Sequence, residues 1–266
     1  MKVFYRIFLF LLSTTTAFGA KDSLITYEIE GGLNYYDYRE YNQRAHQIMK
    51  ISGFMSGIQG KISHKYNPIL SHNISGGYYT SINTKYDGQL QDGTPYATDS
   101  KDYYYFAQYM LAPHINSGFL DFGIDTGLGY RFHHQKDKVS YRRDQHYLYY
   151  ILGVNASLNF KQNMTLTFIA QNQFMLKAWN KTYLTDIRYD RDILLNQKEG
   201  YGYYYALKLS YAPNNQISLF STLYYQFWHL QDSDVKTAKD RQSQSKEFVE
   251  PRNKTHIIGL NVGVEF

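Results

Sequence analysis

Apolar and polar residues alternate with period two along nearly the whole chain after Ser23, and polar stretches interrupt the alternation at intervals. The C-terminal segment is the clearest case. Ile258, Leu260, Val262, Val264 and Phe266 fall on one face, and Gly259, Asn261, Gly263 and Glu265 fall on the other. The same pattern predicts strands at 24–36, 49–65, 70–85, 102–112, 118–133, 146–160, 164–178, 201–212, 216–229 and 254–266. The breaks after even-numbered strands are tight: Tyr66-Asn67-Pro68-Ile69, Pro113-His114-Ile115-Asn116, Lys161-Gln162-Asn163 and Pro213-Asn214-Asn215. Those after odd-numbered strands are polar and run to about a dozen residues or more, and this alternation is expected of bacterial membrane barrels. The expectation is an all-β fold: an antiparallel up-and-down transmembrane barrel of about ten strands, within a range of 8–12, with both termini in the periplasm.

The two faces agree with that reading. In the fifth strand Phe122, Ile124, Thr126, Leu128, Tyr130 and Phe132 point one way, and Asp121, Gly123, Asp125, Gly127, Gly129 and Arg131 point the other. Tyr27, Ile29, Leu33 and Tyr35 oppose Glu28, Glu30 and Asn34 in the first strand, and Tyr203, Tyr205, Leu207 and Leu209 oppose Lys208 and Ser210 in the eighth. An Arg or Lys facing lipid at the midplane costs ~2–4 kcal/mol, so the charged sets belong in the lumen. The second strand breaks the rule, because its apolar phase shifts near Phe54 and Met55; a bulge or a misplaced boundary would account for it.

Composition sharpens the picture. The chain has 29 tyrosines and 16 phenylalanines among 266 residues, rings that suit a membrane–water interface. Two girdles are expected: Tyr35, Tyr103, Tyr104, Tyr105, Tyr147, Tyr149, Trp179, Tyr203, Tyr225, Phe227 and Trp228 toward the long loops, and Tyr66, Phe119, Phe160, Tyr211 and Phe266 at the short-turn ends. A mean hydropathy of −0.51 argues against a helical membrane protein but fits a barrel with a polar lumen. Net charge is +5, yet the basic residues are interspersed with 23 acidic ones and form no long block, which speaks against nucleic acid as a partner. With no cysteine, neither disulfides nor thiolate metal sites hold the fold. Lys2 and Arg6, the apolar run Ile7–Leu12 and Ala17-Phe18-Gly19 read as an export signal, with cleavage expected after Gly19. The domains are thus a signal peptide, 1–19, and a barrel with long extracellular loops, 20–266.

The terminal segment Gly259-Leu260-Asn261-Val262-Gly263-Val264-Glu265-Phe266 resembles the last strand of bacterial outer-membrane proteins. In that class a final phenylalanine preceded by alternating apolar residues is what the barrel-assembly machinery reads, so the resemblance implies an integral outer-membrane protein with Phe266 as its assembly signal. The stretches Tyr36 to Ile62 and Gly127 to Val154 also resemble a group of proteobacterial outer-membrane barrel proteins, a likeness that implies no activity.

Catalytic chemistry is poorly represented. Omptin proteases need two aspartates on one rim facing an Asp-x-His on another. The chain has one such triplet, Asp144-Gln145-His146, at the start of the sixth strand, and no Asp-x-Asp between the third and fourth strands. A phospholipase-type serine would need a histidine beside it; His133 and His134 precede Ser140 in a segment rich in Lys136, Lys138, Arg142 and Arg143, which reads as a solvated basic loop able to meet lipopolysaccharide phosphates. No metal-ligand spacing is present and no cofactor is expected. Asn180-Lys181-Thr182 matches a glycosylation sequon without consequence in a bacterial chain.

The informative chemistry is the set of inward charges: Glu28, Glu30, Asp121, Asp125, Arg131 and Lys208. They predict either a paired network that fills the lumen or the lining of a narrow pore; ten strands lie near the filled end of the size range. The function expected is that of a non-enzymatic surface barrel contacting the envelope or an outside partner through its loops near 86–101, 134–145, 179–200 and 230–253. A small porin-like channel and an omptin-like or phospholipase-like hydrolase are the alternatives. Partners would be outer-membrane lipid and lipopolysaccharide, and the assembly machinery through the last strand.

Overall fold

The computed structural model describes residues 25–89, 93–137, 141–161, 163–197 and 199–266; the export signal lies outside them. Ten long strands run antiparallel: β1 (Ile25–Tyr41), β2 (Gln47–Asn67), β3 (Leu70–Ser81), β5 (Pro95–Asn116), β6 (Leu120–Asp137), β7 (Arg143–Lys161), β8 (Met164–Thr182), β10 (Gly200–Tyr211), β11 (Ser218–Leu230) and β14 (Arg252–Glu265). Each pairs with the next, and β1 pairs with both β2 and β14, which closes the sheet into a ten-stranded barrel. Four short strands extend it. β4 (Lys85–Gln89) pairs with the upper parts of β2 and β5, β9 (Ile193–Gln197) with the end of β8, and β12 (Lys236–Lys239) with β13 (Ser245–Phe248) as a hairpin.

The strand count is as the alternation predicts, but most of the strands are longer, while β3 stops at Ser81 short of the expected 85. Those from β5 to β8 run 18 to 22 residues, roughly twice the 9–11 that cross a bilayer. The connection after β1 is only residues 42–46, and the one after β6 only 138–142, not the dozen or more expected. Segments 95–101, 134–137 and 143–145, read from sequence as loop, are strand. They sound like loop because their outer face turns polar above the lipid.

The barrel therefore has two storeys. In the lower one the outside is apolar: Ile29, Leu33, Ile58, Ile74, Tyr109, Leu111, Phe122, Ile124, Leu152, Phe168, Leu207, Leu223, Leu260 and Val262 are exposed on it. Inside stand buried Asn73, Asp125, Gln171, Thr222 and Asn261. Water-soluble proteins have the opposite arrangement, and an apolar belt of this kind is what lipid selects. On β5 the belt ends at Tyr103, above which Lys101 and Asp99 are exposed; on β6 it ends at Phe132, below His134 and Lys136.

In the upper storey polarity reverses, and β2 shows it within one strand. Phe54 and Ile58 are exposed, whereas Met49, Ile51 and Met55 are buried inside. Pairing of β2 with β1 runs without a shift from Met49 through His64, so no bulge displaces β2. The phase shift marks the level at which the strand leaves lipid and begins to enclose a core of its own. On its other side the partner does change there: β3 gives way to β4, and Asn83 Oδ1 accepts the Phe54 N–H at 2.8 Å across the gap.

Aromatic girdles form at both edges, with a correction. Tyr35, Tyr103, Tyr105, Trp179, Tyr203, Tyr225 and Phe227 face outward, and Trp179 stacks on His146 at 4.8 Å. Tyr66, Phe119, Phe160, Tyr211 and Phe266 are exposed at the short-turn end. Tyr104, Tyr147, Tyr149 and Trp228 are instead buried in the lumen, because each is one residue out of phase with the outward set.

Candidate functional site: the barrel interior

A cavity of about 610 Å³ occupies the lower part of the barrel, and a layer of buried rings lies above it. The cavity extends from the short-turn end, where Asp121, Ala212, Ser218 and Glu265 line it, up to Tyr104 and Arg131. All six charged residues singled out from sequence line this one cavity, brought from β1, β6 and β10. Glu28 accepts Lys61 Nζ and Lys208 Nζ, each at 2.8 Å, so one carboxylate bridges cations from opposite walls. Lys208 also approaches Glu265 at 3.5 Å and lies over the Phe220 ring at 3.9 Å. Lys61 was not among the residues read from sequence, because the phase break in β2 obscured its face.

The remaining charges form no ion pair among the described residues. Glu30 takes a hydrogen bond from Gln59, and its Oε2 has no well-aligned hydrogen bond among the described residues. Asp125 is held by neutral amides, Asn155 at 2.9 Å and Gln171 at 3.1 Å, and Asp121 faces Asn116 at 3.4 Å. Arg131 is 1% exposed, with its guanidinium over the Tyr104 ring at 4.7 Å and near that of Tyr147 at 5.7 Å. The general expectation that buried charges come paired fails for it.

The ring layer contains Tyr36, Tyr104, Tyr147, Tyr149, Trp228, Ile151 and Ile257, all buried. Trp228 meets Tyr149 edge-on at 4.8 Å and Tyr104 stacks on Tyr79 at 5.1 Å. Amides lock the rings: Asn34 Nδ2 donates to the hydroxyls of Tyr104 at 2.9 Å and Tyr224 at 3.2 Å.

Above the layer sits a second charge cluster that sequence reasoning did not find. Arg143 Nη1 donates to Glu40 and approaches Glu250 Oε1 at 3.4 Å, while Nη2 donates to Gln135 at 2.7 Å. Tyr38 donates to Glu40 at 2.9 Å and Glu250 at 3.2 Å, and Gln145 Nε2 donates to Tyr38 and Glu250. Burial raises the Glu250 carboxyl to about 7 against the pull of Arg143, and Glu40 raises it further. Beside this cluster His133 Nε2 lies 3.9 Å from Asp102, and both side chains are wholly buried. Burial raises Asp102 to about 6, against hydrogen bonds from Thr84 and Ser100. Burial, then the nearby Arg131, holds His133 well below the ordinary imidazole range, so the ring is neutral. Glu40, Arg143 and Glu250 lie on separate strands or loops more than a hundred residues apart, and no spacing motif joins them.

The motifs considered from sequence separate in space. Asp144 and His146 share the outer wall of β7 but not a bond. Asp144 accepts from His134 at 2.6 Å and from Tyr183 at 2.7 Å, whereas His146 bonds Tyr130 at 2.6 Å. His133 points inward and His134 outward; Ser140 lies outside the described residues. Of the basic set, Arg143 turns inward, Arg142 forms a two-pronged bridge to Asp186, and Lys136 is exposed on the outer wall. No group of three or more metal-ligating residues occurs among the described residues.

Neither the known protein families nor the curated proteins contain a match to the sequence. Solved structures do match. The outer membrane protease OmpT from Escherichia coli superposes with a TM-score of 0.69 over 95% of this chain and 99% of that one, at 11% identity. The transport unit of the autotransporter AIDA-I from Escherichia coli gives 0.44 over 96% of each chain at 10% identity. Neisserial surface protein A gives 0.34 over 89% of this chain and 96% of that one at 10% identity. This chain has the fold of integral barrels of the bacterial outer membrane.

Proposed function

We propose that this protein is a non-enzymatic surface barrel whose lumen is plugged and whose extracellular storey and loops interact with the envelope or an outside partner. The observation that carries the reading is the filled interior: a layer of buried rings, with a buried ion cluster above it, lies across the barrel over the lower cavity. The loops support it by packing as a unit. Leu184 and Leu195, from the connection after β8, bury against Ala238 of the last loop, and Tyr189 meets Phe248 edge-on at 5.1 Å. Planar-bilayer recording of the refolded protein, after a heat-modifiable gel shift establishes folding, tests the plug. A silent bilayer is expected; stable stepwise openings would establish the porin-like alternative.

Lipopolysaccharide is the partner we assign to the outer wall. A groove of about 680 Å³ at the β3–β4 break is lined by Lys85, Lys101, Lys136 and His134 together with Asp99 and Asp102, just above the Tyr103 and Phe132 level. Lys101 and Lys136 stand opposite each other on neighbouring strands, an unfavourable juxtaposition that a phosphate would relieve. The hydrolase alternative draws on the His134–Asp144 pair. Turnover of fluorogenic peptides or of phospholipid that His134→Ala abolishes would overturn the non-enzymatic reading.

A further inference from the structure

The lower cavity holds two charged groups with unused hydrogen-bonding capacity, one buried and one half-buried, of opposite sign and at different heights. Arg131 is at the blind upper end. None of its three guanidinium nitrogens makes a well-aligned hydrogen bond to a described residue; the Tyr36 phenol, which also approaches His133 Nδ1 at 3.4 Å, is the polar group within reach. A guanidinium presents a planar fork of donors that matches a carboxylate, and leaving it unmatched inside a protein is costly. Lower down is Glu30, whose Oε2 lies near the Asn261 amide but has no well-aligned hydrogen bond among the described residues, and Asp125 supplies a second carboxylate whose hydrogen bonds come from the amides of Asn155 and Gln171. Lys61 and Lys208 direct their hydrogen bonds to Glu28 and act on Asp125 and Glu30 through space only.

We propose that this cavity is a binding well for a small zwitterion of peptide type, entered from the short-turn end. Arg131 takes its carboxylate, and Glu30 and Asp125 receive its ammonium group. The spacing suits such a ligand. Asn34 on β1 holds the Tyr104 hydroxyl, whose ring lies beneath Arg131, and Glu30 is four residues further down the same strand. Four residues are about 13 Å of strand, and an extended tripeptide spans about 10 Å. A volume near 610 Å³ lies within the ordinary range for small-molecule sites. The short-turn end faces the periplasm in barrels of this fold, so the solute arrives from inside the envelope and, with the ring layer above, goes no further. The well requires no pore and is independent of any loop partner.

The test is calorimetric titration of the refolded, heat-modifiable barrel with triglycine, with triglycine amide, which lacks the carboxylate, and with N-acetyl-triglycine, which lacks the ammonium. Triglycine is expected to bind about ten- to a hundredfold more tightly than either capped form. In Arg131→Gln the advantage of triglycine over its amide disappears, and in Asp125→Asn the advantage over the acetylated form shrinks. Should Arg131→Gln fail to fold, Arg131→Lys keeps the charge without the fork and is expected to lose most of the carboxylate preference. The proposal is overturned if wild-type protein shows no binding up to the solubility of triglycine, if the three peptides bind alike, or if the folded Arg131 variant keeps the wild-type preference.

Discussion

Glu250 sits where a carboxylate is hard to keep ionised, and its position in the upper storey gives it a pH signature. Its carboxyl binds a proton more tightly folded, at about 7, than unfolded, near 4.5. Its contribution to stability is therefore full below about pH 4.5 and is lost as pH rises through about 7. Denaturant midpoints measured from pH 4 to 8 are expected to carry this falling component, and Glu250→Gln is expected to remove it. His133 acts in the opposite direction, since its imidazole is held neutral in the fold. Stability that it contributes above about pH 6.5 is lost below it as the unfolded ring takes up a proton, and His133→Gln is expected to flatten that acid-side loss. Arg143 is the residue whose removal is worst. Arg143→Met leaves Glu40 and Glu250 facing each other without a cation, and a loss of about 3–5 kcal/mol is expected in the same denaturant assay.

At the scale of the strand, β2 separates what the sequence announces from what it hides. Where strands cross lipid, period-two alternation alone identifies all ten, since the apolar face has to be continuous. Above the lipid the same rule reverses sign, and Met49, Ile51 and Met55 then read as an error in phase. The same parity could have rescued the rings: Tyr103 and Tyr105 face out, so Tyr104 between them faces in. Arg131 was legible as inward for this reason. Its lack of an ion-pair partner among the described residues was not, because that depends on which residues the other nine strands place opposite it. A loop and an upper strand also differ under substitution. Ile51→Ala is expected to cost about 2–5 kcal/mol by opening the upper core. Lys50→Ala, on the outer face 3.5 Å from Asp37, is expected to cost less than about 1 kcal/mol. Equal and small effects at both positions, read from urea unfolding in vesicles, would mean that this segment is loop after all.

For the molecule as a whole, the reversal of polarity fixes how much of the barrel stands clear of the membrane. Since the chain has no cysteine, single cysteines can report on it. Lys101→Cys and Tyr109→Cys lie on the same exposed face of β5, eight residues apart. A membrane-impermeant maleimide added to intact cells is expected to label the first and spare the second. Labelling of both would place the lipid edge lower on the barrel than the Tyr103 level.

The seam between β1 and β14 has a consequence in time. Its partners are the first strand of the barrel and the last, and it is fastened at its lower end by a reciprocal backbone pair, Tyr27 N–H to Phe266 carbonyl at 2.8 Å and Phe266 N–H to Tyr27 carbonyl at 2.9 Å. Until β14 is delivered, β1 and β11 both present a bare row of amides and carbonyls, and hydrocarbon tolerates neither. A chain interrupted anywhere before its fourteenth strand can have most of its side-chain chemistry in place and still be unable to inhabit lipid. Closure thus serves as an inspection step, in which the membrane itself rejects every unfinished copy.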